Sequence, residues 1–257
     1  MIQSSRLTFT TILGLAASFG MMACGSDNTA TDAGLSSDQG PAMDSGVAPG
    51  DVPPSVDVGP TLLTVSGHLM EDSTPIAGAS IEVVDASPAN RTMTDMAGAW
   101  SLTLRRGETA LLRSSKTGYR SFQSYRQVSS GMGDVELQVR SSDQIVGLLS
   151  ALHVTETATQ GMLLVHFFMP VGVRNPAGFG VTLGAAGGTR FVFSSGGPAL
   201  QNLTAAGDGM LGIAGIPAGT TTVTPLPPPG VTCTAEVSIP TYRVDPSIVT
   251  NISFICQ

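Results

Sequence analysis

The clearest structural signals in the chain are two short stretches, TPIAGASIEV at residues 74–83 and TDMAGAWSL at residues 94–102. In each, a turn containing Gly leads into a segment with apolar residues at every second position, such as Ile81 in the first and Trp100 and Leu102 in the second. Alternation with a period of two places one apolar face and one polar face on a β-strand. Both stretches therefore predict a turn followed by a half-buried strand.

The same alternation continues on both sides of these stretches. Apolar residues share a phase at Leu63, Val65 and Leu69, and again at Val135 and Leu137. Turns rich in Gly, Pro, Asp and Ser separate these runs, which is typical of an antiparallel β-sandwich. We predict about seven strands in residues 61–140, with Trp100, the single Trp of the chain, in the core.

Four motifs of this segment follow one order: Gly67, the Pro-x-x-Gly turn into residues 75–83, the Thr-Asp-x-x-Gly turn at 94–98, and Gly118-Tyr119. This order resembles the carboxypeptidase regulatory-like domain. The resemblance implies a transthyretin-like sandwich of seven strands and the role of a non-catalytic accessory module. It says little about a ligand, because fold does not fix function.

Residues 141–160 break the strand pattern. Ile145, Leu148, Leu149 and Leu152 are spaced as one face of a helix, and Ser141 with Gln144 forms a capping box. We predict a short linker helix here.

Residues 161–257 resemble a diverged second copy of the first sandwich. Residues 175–183 correspond to residues 74–83, and residues 204–209 correspond to the Thr-Asp turn. The copy lacks the Tyr of Gly118-Tyr119 and the direct Thr-Asp pair. The predicted fold is therefore all-β, with two tandem sandwiches, transthyretin-like or immunoglobulin-like, joined by a helix.

The N-terminal residues have the features of an export signal. Residues 7–20 are uncharged and mostly apolar, a run too short to span a bilayer, and they lead to Met21-Met22-Ala23-Cys24. This end resembles a bacterial lipoprotein signal, which implies cleavage after residue 23 and a lipid on Cys24. An ordinary secretory signal with a chance Cys, or a membrane-spanning helix, are the alternatives.

The segment after Cys24 predicts a disordered tether over residues 24–60. Residues 25–60 contain six Asp and no aromatic residue, Lys or Arg. A chain of low hydrophobicity and one sign of charge buries too little surface to offset its entropy. Such a tether would hold a folded body about 30 Å from the membrane.

Charge and cysteine content narrow the class of protein. The chain has a net charge of −7, but residues 61–257 hold 11 basic and 13 acidic residues, so a basic nucleic-acid-binding surface is not expected. With Cys24 lipidated, Cys233 and Cys256 remain, and both fall on the apolar phase of late strands. In an exported protein they predict a disulfide, with two free buried thiols as the alternative.

Cations and aromatic residues alternate between residues 113 and 126, with no acidic residue among them. This candidate ligand patch predicts contact with a glycan or an acidic polymer; the alternative is an ordinary solvated strand and loop. Its six members are Arg113, Lys116, Tyr119, Arg120, Tyr125 and Arg126.

The sequence predicts no catalytic residue, metal site or cofactor. His68-Leu69-Met70-Glu71 matches the His-x-x-Glu motif of zinc peptidases, but positions i and i+3 of a strand point to opposite faces. Glycine-rich residues 184–188 lack the following Lys and helix of a phosphate-binding loop. An enzyme is therefore not expected.

We expect an exported, non-catalytic lipoprotein, at the outer membrane or cell surface, that acts as an adhesion, scaffold or accessory binding module. Expected partners are the membrane through Cys24 and an envelope protein or polysaccharide. One alternative is a carbohydrate-binding module for envelope or extracellular polysaccharide. A second is an accessory subunit of an exported hydrolase or peptidase.

Overall fold

The computed structural model of the protein describes residues 61–130, 132–185, 187–194 and 197–257. These residues belong to one compact unit that spans Val58–Gln257. The predicted signal of residues 1–23 and the predicted tether of residues 24–60, including Cys24, lie outside the described residues. Within the described ranges, no helix combines the length and the apolar character needed to cross a membrane.

The first half of the described chain consists of strands, and one helix follows them. Their bounds are β1 (Leu62–Glu71), β2 (Thr74–Pro75), β3 (Ser80–Val83), β4 (Arg91–Met93), β5 (Ala99–Arg105), β6 (Thr109–Ser115), β7 (Tyr119–Gln127), β8 (Val135–Gln138), β9 (Arg140–Ser141) and α1 (Ser142–Ala151).

The second half is made of strands alone within the described residues. Their bounds are β10 (Gln160–Phe168), β11 (Gly180–Leu183), β12 (Thr189–Ser194), β13 (Gly197–Ala199), β14 (Met210–Pro217), β15 (Gly219–Thr221), β16 (Val223–Leu226), β17 (Cys233–Ala235), β18 (Tyr242–Val244) and β19 (Ile248–Cys256). The predicted all-β fold is confirmed.

The first half packs two sheets against each other. One sheet has the order β2-β1-β5 with β8 beside β1, and the other contains β4, β3, β6 and β7. Alternating apolar residues of both sheets, including Leu69, Trp100, Ile81, Leu112 and Phe122, meet in a first hydrophobic cluster. Trp100 is buried there, as its phase predicts.

The turn before Trp100 is built by Asp95 and Gly98. The Asp95 carboxylate accepts hydrogen bonds from the backbone N–H groups of Ala97 (2.8 Å) and Ala99 (2.9 Å). Gly98 has a φ of 73°, which favours glycine. Asp95 is thus a turn-forming residue.

The second half repeats the strand pairings of the first. Antiparallel β1–β5 corresponds to β10–β14, and the register places His68 opposite Ala99 and His166 opposite Met210. Parallel β1–β8 corresponds to parallel β10–β19. Antiparallel β3–β6 and β6–β7 correspond to β11–β16 and β15–β18. We call residues 61–140 the first repeat and residues 161–257 the second repeat.

One hydrogen-bond motif recurs in both repeats around a buried Thr. The N–H groups of Gly78 and Ala79 donate to the carbonyl and hydroxyl oxygens of Thr94, while the Thr94 N–H donates to the Ala79 carbonyl. Gly178, Phe179 and Thr204 make the same three bonds. Thr204 therefore takes the place of Thr94 although the Asp that follows Thr94 is missing.

A single sheet crosses from one repeat into the other. Its order is β13-β12-β14-β10-β19-β7-β6-β3-β4, and β7 of the first repeat pairs in parallel with β19 of the second over Ser121–Ser124 and Ile248–Asn251. β10 and β19 are also parallel. Gly161 to Val165 of β10 are all buried, as is typical of parallel strands, which are covered on both faces. The sequence predicts antiparallel sheets, and the structure contains these parallel strand pairs in addition. The division into two domains at residues 140 and 161 stays a prediction.

The linker helix α1 lies within the predicted range of residues 141–160. The Ser141 hydroxyl accepts a hydrogen bond from the Gln144 N–H (3.3 Å), as a capping box requires. In a complete capping box the Gln144 side chain would accept a hydrogen bond from the Ser141 N–H. Here the Ser141 N–H donates instead to Glu71 at the end of β1 (2.7 Å). Ile145 and Leu149 are buried against the first cluster.

Gly212 on β14 is a position where an added methyl group should cost stability. A Cβ there would lie within the ring of Phe191, which is fully buried. We expect Gly212→Ala to lower the free energy of unfolding by about 1–3 kcal/mol, because the core cannot expand around it. Chemical denaturation measures this.

Gly147 is the matched control, since a Cβ at this exposed position in α1 meets no atom within 4 Å. Gly147→Ala should raise stability by about 0.5–1 kcal/mol. Equal effects of the two substitutions would contradict the close approach of Phe191 to Gly212.

Candidate functional site

The candidate ligand patch lies on the β6–β7 hairpin, whose turn contains Lys116 and Gly118. The structure separates its members. Tyr119 packs against the first hydrophobic cluster, whereas Tyr125 packs against a second cluster in the other repeat. The Lys116 ammonium lies 5.3 Å from the centre of the Tyr119 ring, in cation–π range.

The three arginines of the patch have acidic partners that are distant in the sequence. Arg113 Nη2 lies 2.5 Å from Asp245, and Arg120 Nη2 lies 2.5 Å from Glu156. Arg126 Nη1 lies 3.6 Å from Glu236. The absence of acids between residues 113 and 126 does not leave these cations unpaired, because other loops and strands bring carboxylates to them.

Arg113 begins a charge network that joins the two repeats. Its guanidinium also donates to Gln123 (2.9 Å) and lies 3.6 Å from Glu82. Asp245 accepts from Arg243 Nε at 2.7 Å, and Arg243 also binds Asp85. Positive and negative side chains thus alternate from the first repeat to the second. We call Glu82, Asp85, Arg113, Arg243 and Asp245 the junction network.

Burial strengthens this network. The side chains of Arg113 and Asp245 are 19% and 13% exposed, so solvent screens their pair less than a surface pair. The hydrogen bond to Asp245 raises the pKa of Arg243, and Asp85 adds to the effect. Arg243 is therefore charged at neutral pH, and the ion pairs of Asp245 with Arg113 and Arg243 hold β6 against the segment that precedes β19.

A layer of buried polar groups lies beside the network. Gln123 Nε2 donates to the Thr250 hydroxyl (3.0 Å), which in turn donates to the Arg243 carbonyl (2.9 Å). The Arg243 N–H donates to the Tyr125 hydroxyl (2.9 Å), and burial raises the pKa of Tyr125. The Tyr125 and Tyr242 rings meet edge to face at 5.6 Å. These bonds satisfy polar groups that would otherwise be costly in the interior.

The predicted disulfide is present between Cys233 of β17 and Cys256 of β19. Thr232 and Gln257 exchange two backbone hydrogen bonds of 2.9 Å, so the adjacent Cys233–Cys256 pair is non-hydrogen-bonded. Such pairs bring the Cα atoms closer, and here they are 4.1 Å apart. Cys256 is fully buried, as its phase predicts.

The His-x-x-Glu motif does not converge on one point. His68 Nδ1 lies 2.7 Å from Asp134 Oδ2 on the outer face of β1. Glu71 binds the N-terminus of α1. Among the described residues, no three His, Cys, Asp or Glu side chains are grouped as metal ligands.

His166 occupies the place in the second repeat that His68 has in the first. Burial lowers its pKa, while the neighbouring Asn251 opposes that shift. Arg126 also disfavours protonation and Glu236 favours it. His166 is therefore neutral in the folded protein at neutral pH.

The lowered pKa of His166 predicts that acid weakens the fold. The unfolded chain binds a proton at an ordinary His pKa of about 6.5, whereas the folded chain resists it, so stability should fall as the pH drops below about 6.5. We expect His166→Gln to reduce this dependence in denaturation curves measured between about pH 7.5 and pH 5.

Phe168→Leu changes the ring beside His166 without removing an ionisable group, so it should keep the full dependence on pH. An unchanged pH dependence in the His166→Gln protein would show that His166 is not its source.

Comparison with known proteins gives no family for the chain. No family model matches it, and no curated protein matches it. Its resemblance to the carboxypeptidase regulatory-like domain therefore stays a prediction.

Solved structures with some likeness include the TIE protein of Bacillus anthracis and several pilins. The TIE protein of Bacillus anthracis is 13% identical (76% of this chain, 34% of that one, TM-score 0.27). A streptococcal ancillary pilin is 15% identical (76% and 62%, TM-score 0.24), and the minor pilin GBS52 of Streptococcus agalactiae is 12% identical (75% and 95%, TM-score 0.25). The chain spans about a third of the first protein and less than two thirds of the second. At such TM-scores neither function nor partner carries over, and the fold assignment rests on the strand pairings.

Proposed function

We propose that the chain is an exported, non-catalytic surface protein that acts as an adhesion, scaffold or accessory binding module. In this proposal a lipid on Cys24 anchors it to the outer membrane or cell surface. Residues 24–60 then form a tether, and residues 61–257 form the body presented to a partner.

The observation that carries the proposal is the sheet shared by the two repeats. β7 pairs with β19, and the junction network binds the repeats with Arg113, Asp245 and Arg243. Two repeats joined in this way would move as one body, which suits a display or scaffold protein carried on the proposed tether. The disulfide adds a covalent link at the last strand.

The anchor is tested with the full-length chain expressed in a bacterial host. The wild-type protein should incorporate labelled palmitate and remain with the membrane fraction. Cys24→Ala should lose both properties while keeping the fold. Labelling that persists in the Cys24→Ala protein would refute the anchor.

The binding role is tested with the Cys24→Ala chain immobilised and exposed to envelope proteins and envelope polysaccharides in separate experiments. We expect saturable retention of one defined component, which excess soluble chain displaces. A denatured and blocked sample of the same chain is the control. No retention from either fraction would contradict a binding module.

A carbohydrate-binding module is the second candidate. It is favoured by one observation, the exposed Phe168 ring at the open end of β10, beside polar side chains of neighbouring strands. The arginines of the 113–126 patch support it less, because each has an acidic partner within the chain.

A further inference from the structure

One face of the shared sheet is covered at one end and open at the other. Met162 and Leu164 of β10 and Val249 of β19 are buried in the first hydrophobic cluster. Further along the same strands, Phe168 is 50% exposed and Ile255 is 48% exposed. The register places Phe168 directly beside Ile255. The apolar surface that joins the repeats therefore continues into solvent.

Strand alternation identifies the side chains of this open end. Val165, Phe167, Ile252 and Phe254 point into the second cluster, so the residues between them and just beyond point to the other face. The Glu236 N–H donates to the Ser253 carbonyl, so Glu236 lies directly beside Ser253. Arg126 lies beside Glu236, with its Nη1 3.6 Å from the carboxylate. We call this surface the aromatic ledge; it consists of Arg126, His166, Phe168, Glu236, Ser253 and Ile255.

The rings of His166 and Phe168 stand parallel. Their centres are 5.9 Å apart and their planes differ by 6°. His166 covers one face of Phe168, and half of the Phe168 side chain remains exposed. A flat ligand with an apolar face can extend this stack on the other side of Phe168.

The polar side chains of the ledge retain hydrogen-bonding capacity. Arg126 and Glu236 approach each other only to 3.6 Å, which is longer than a direct hydrogen bond. A hydroxyl group between them can accept from the guanidinium and donate to the carboxylate at once. Ser253 adds a second hydroxyl partner. The two charges cancel, so the ledge suits a neutral ligand.

We propose that the aromatic ledge binds a neutral oligosaccharide through more than one of its sugar rings. The C–H groups of one pyranose ring present weakly positive hydrogens to the negative face of Phe168. Ser253 lies beside His166 in the register, and Glu236 lies beside Ser253, so the hydroxyls that reach Arg126, Glu236 and Ser253 belong to another ring of the same oligosaccharide. This proposal rests on the second candidate function and moves its binding site from residues 113–126 to the ledge, sharing only Arg126.

The test is titration calorimetry on the full-length Cys24→Ala chain with three probes: maltohexaose, cellohexaose and chitohexaose. Saturable binding of at least one is expected. Phe168→Ala should weaken it about five- to tenfold, and Phe168→Tyr should preserve it. Glu236→Gln should also weaken it, because the amide no longer accepts through a charged group.

Val171→Ala is the control, since Val171 is apolar and 88% exposed but is not part of the ledge. Equal melting temperatures of the variants exclude unfolding as the cause of a loss. No saturable binding of any probe, or binding that Phe168→Ala and Glu236→Gln leave unchanged, overturns the proposal. If the calorimetry fails but the immobilised chain retains one envelope protein, the saccharide site is refuted and the adhesion or scaffold role is supported.

Discussion

Replacing Asp245 with Ala should lower the free energy of unfolding by about 3 kcal/mol. The substitution removes the carboxylate that both Arg113 (2.5 Å) and Arg243 (2.7 Å) bind, and it leaves Arg113 in a largely buried position. Removing one partner of a buried ion pair is costly because the remaining charge stays desolvated. Urea denaturation followed by circular dichroism measures the loss.

Asp245→Asn is the matched control for this prediction. The amide oxygen can still accept one hydrogen bond while the charge is gone, so the loss should be smaller than for Asp245→Ala. Arg105→Ala is the control for a surface cation, since Arg105 and Glu108 are both more than half exposed and their pair should contribute little. Equal, small losses for Asp245→Ala and Arg105→Ala would show that the junction network does not stabilise the body.

Replacing both Cys233 and Cys256 with Ser should lower the free energy of unfolding by about 3 kcal/mol. The bridge closes a loop with a sequence separation of 23 residues, and its removal frees the unfolded chain to adopt more conformations. Cys256 is also fully buried, so a Ser hydroxyl at that position is removed from water, which adds a cost of its own.

Reductant separates the two causes. Dithiothreitol in the denaturation experiment should shift the wild-type midpoint towards that of the double variant and leave the variant unchanged. The Cys233→Ala and Cys256→Ala double variant controls for the buried hydroxyl and should lose somewhat less stability. A wild-type midpoint that does not respond to reductant after complete unfolding would show that the disulfide contributes nothing.

Much of the fold could be predicted from local sequence. Alternation with a period of two located the strands that bury Trp100 and Leu137, and Asp95 and Gly98 indicated their turn, because these signals depend only on neighbours in the chain. The apolar phase of Cys233 and Cys256 predicts the disulfide. The capping residues and the spacing of Leu and Ile predict the helix.

The joining of the repeats could not be predicted in this way. The pairing of β7 with β19 links Ser121–Ser124 to Ile248–Asn251, and no local pattern specifies which strand edges meet at that separation. The acids that neutralise Arg113, Arg120 and Arg126 lie in other segments for the same reason. A patch defined by sequence neighbours therefore differs from the surface that the fold assembles.

The aromatic ledge was also missed, although a signal was present. Alternation in residues 161–168 predicts that Phe167 and Phe168 point to opposite faces, and the apolar run gave no reason to treat one face as open. The structure shows that the first hydrophobic cluster covers Met162 and Leu164 but does not extend to Phe168, which is half exposed.

We expect the two repeats to unfold as one cooperative body. Denaturant unfolding of the full-length chain, followed in each repeat separately, tests this expectation. Fluorescence of Trp100, the single Trp, reports on the first repeat, and hydrogen exchange of peptides covering β10 and β14 reports on the second. The shared sheet and the junction network predict one midpoint for both probes. Two well-separated midpoints would contradict this expectation, because they would show that each repeat unfolds on its own.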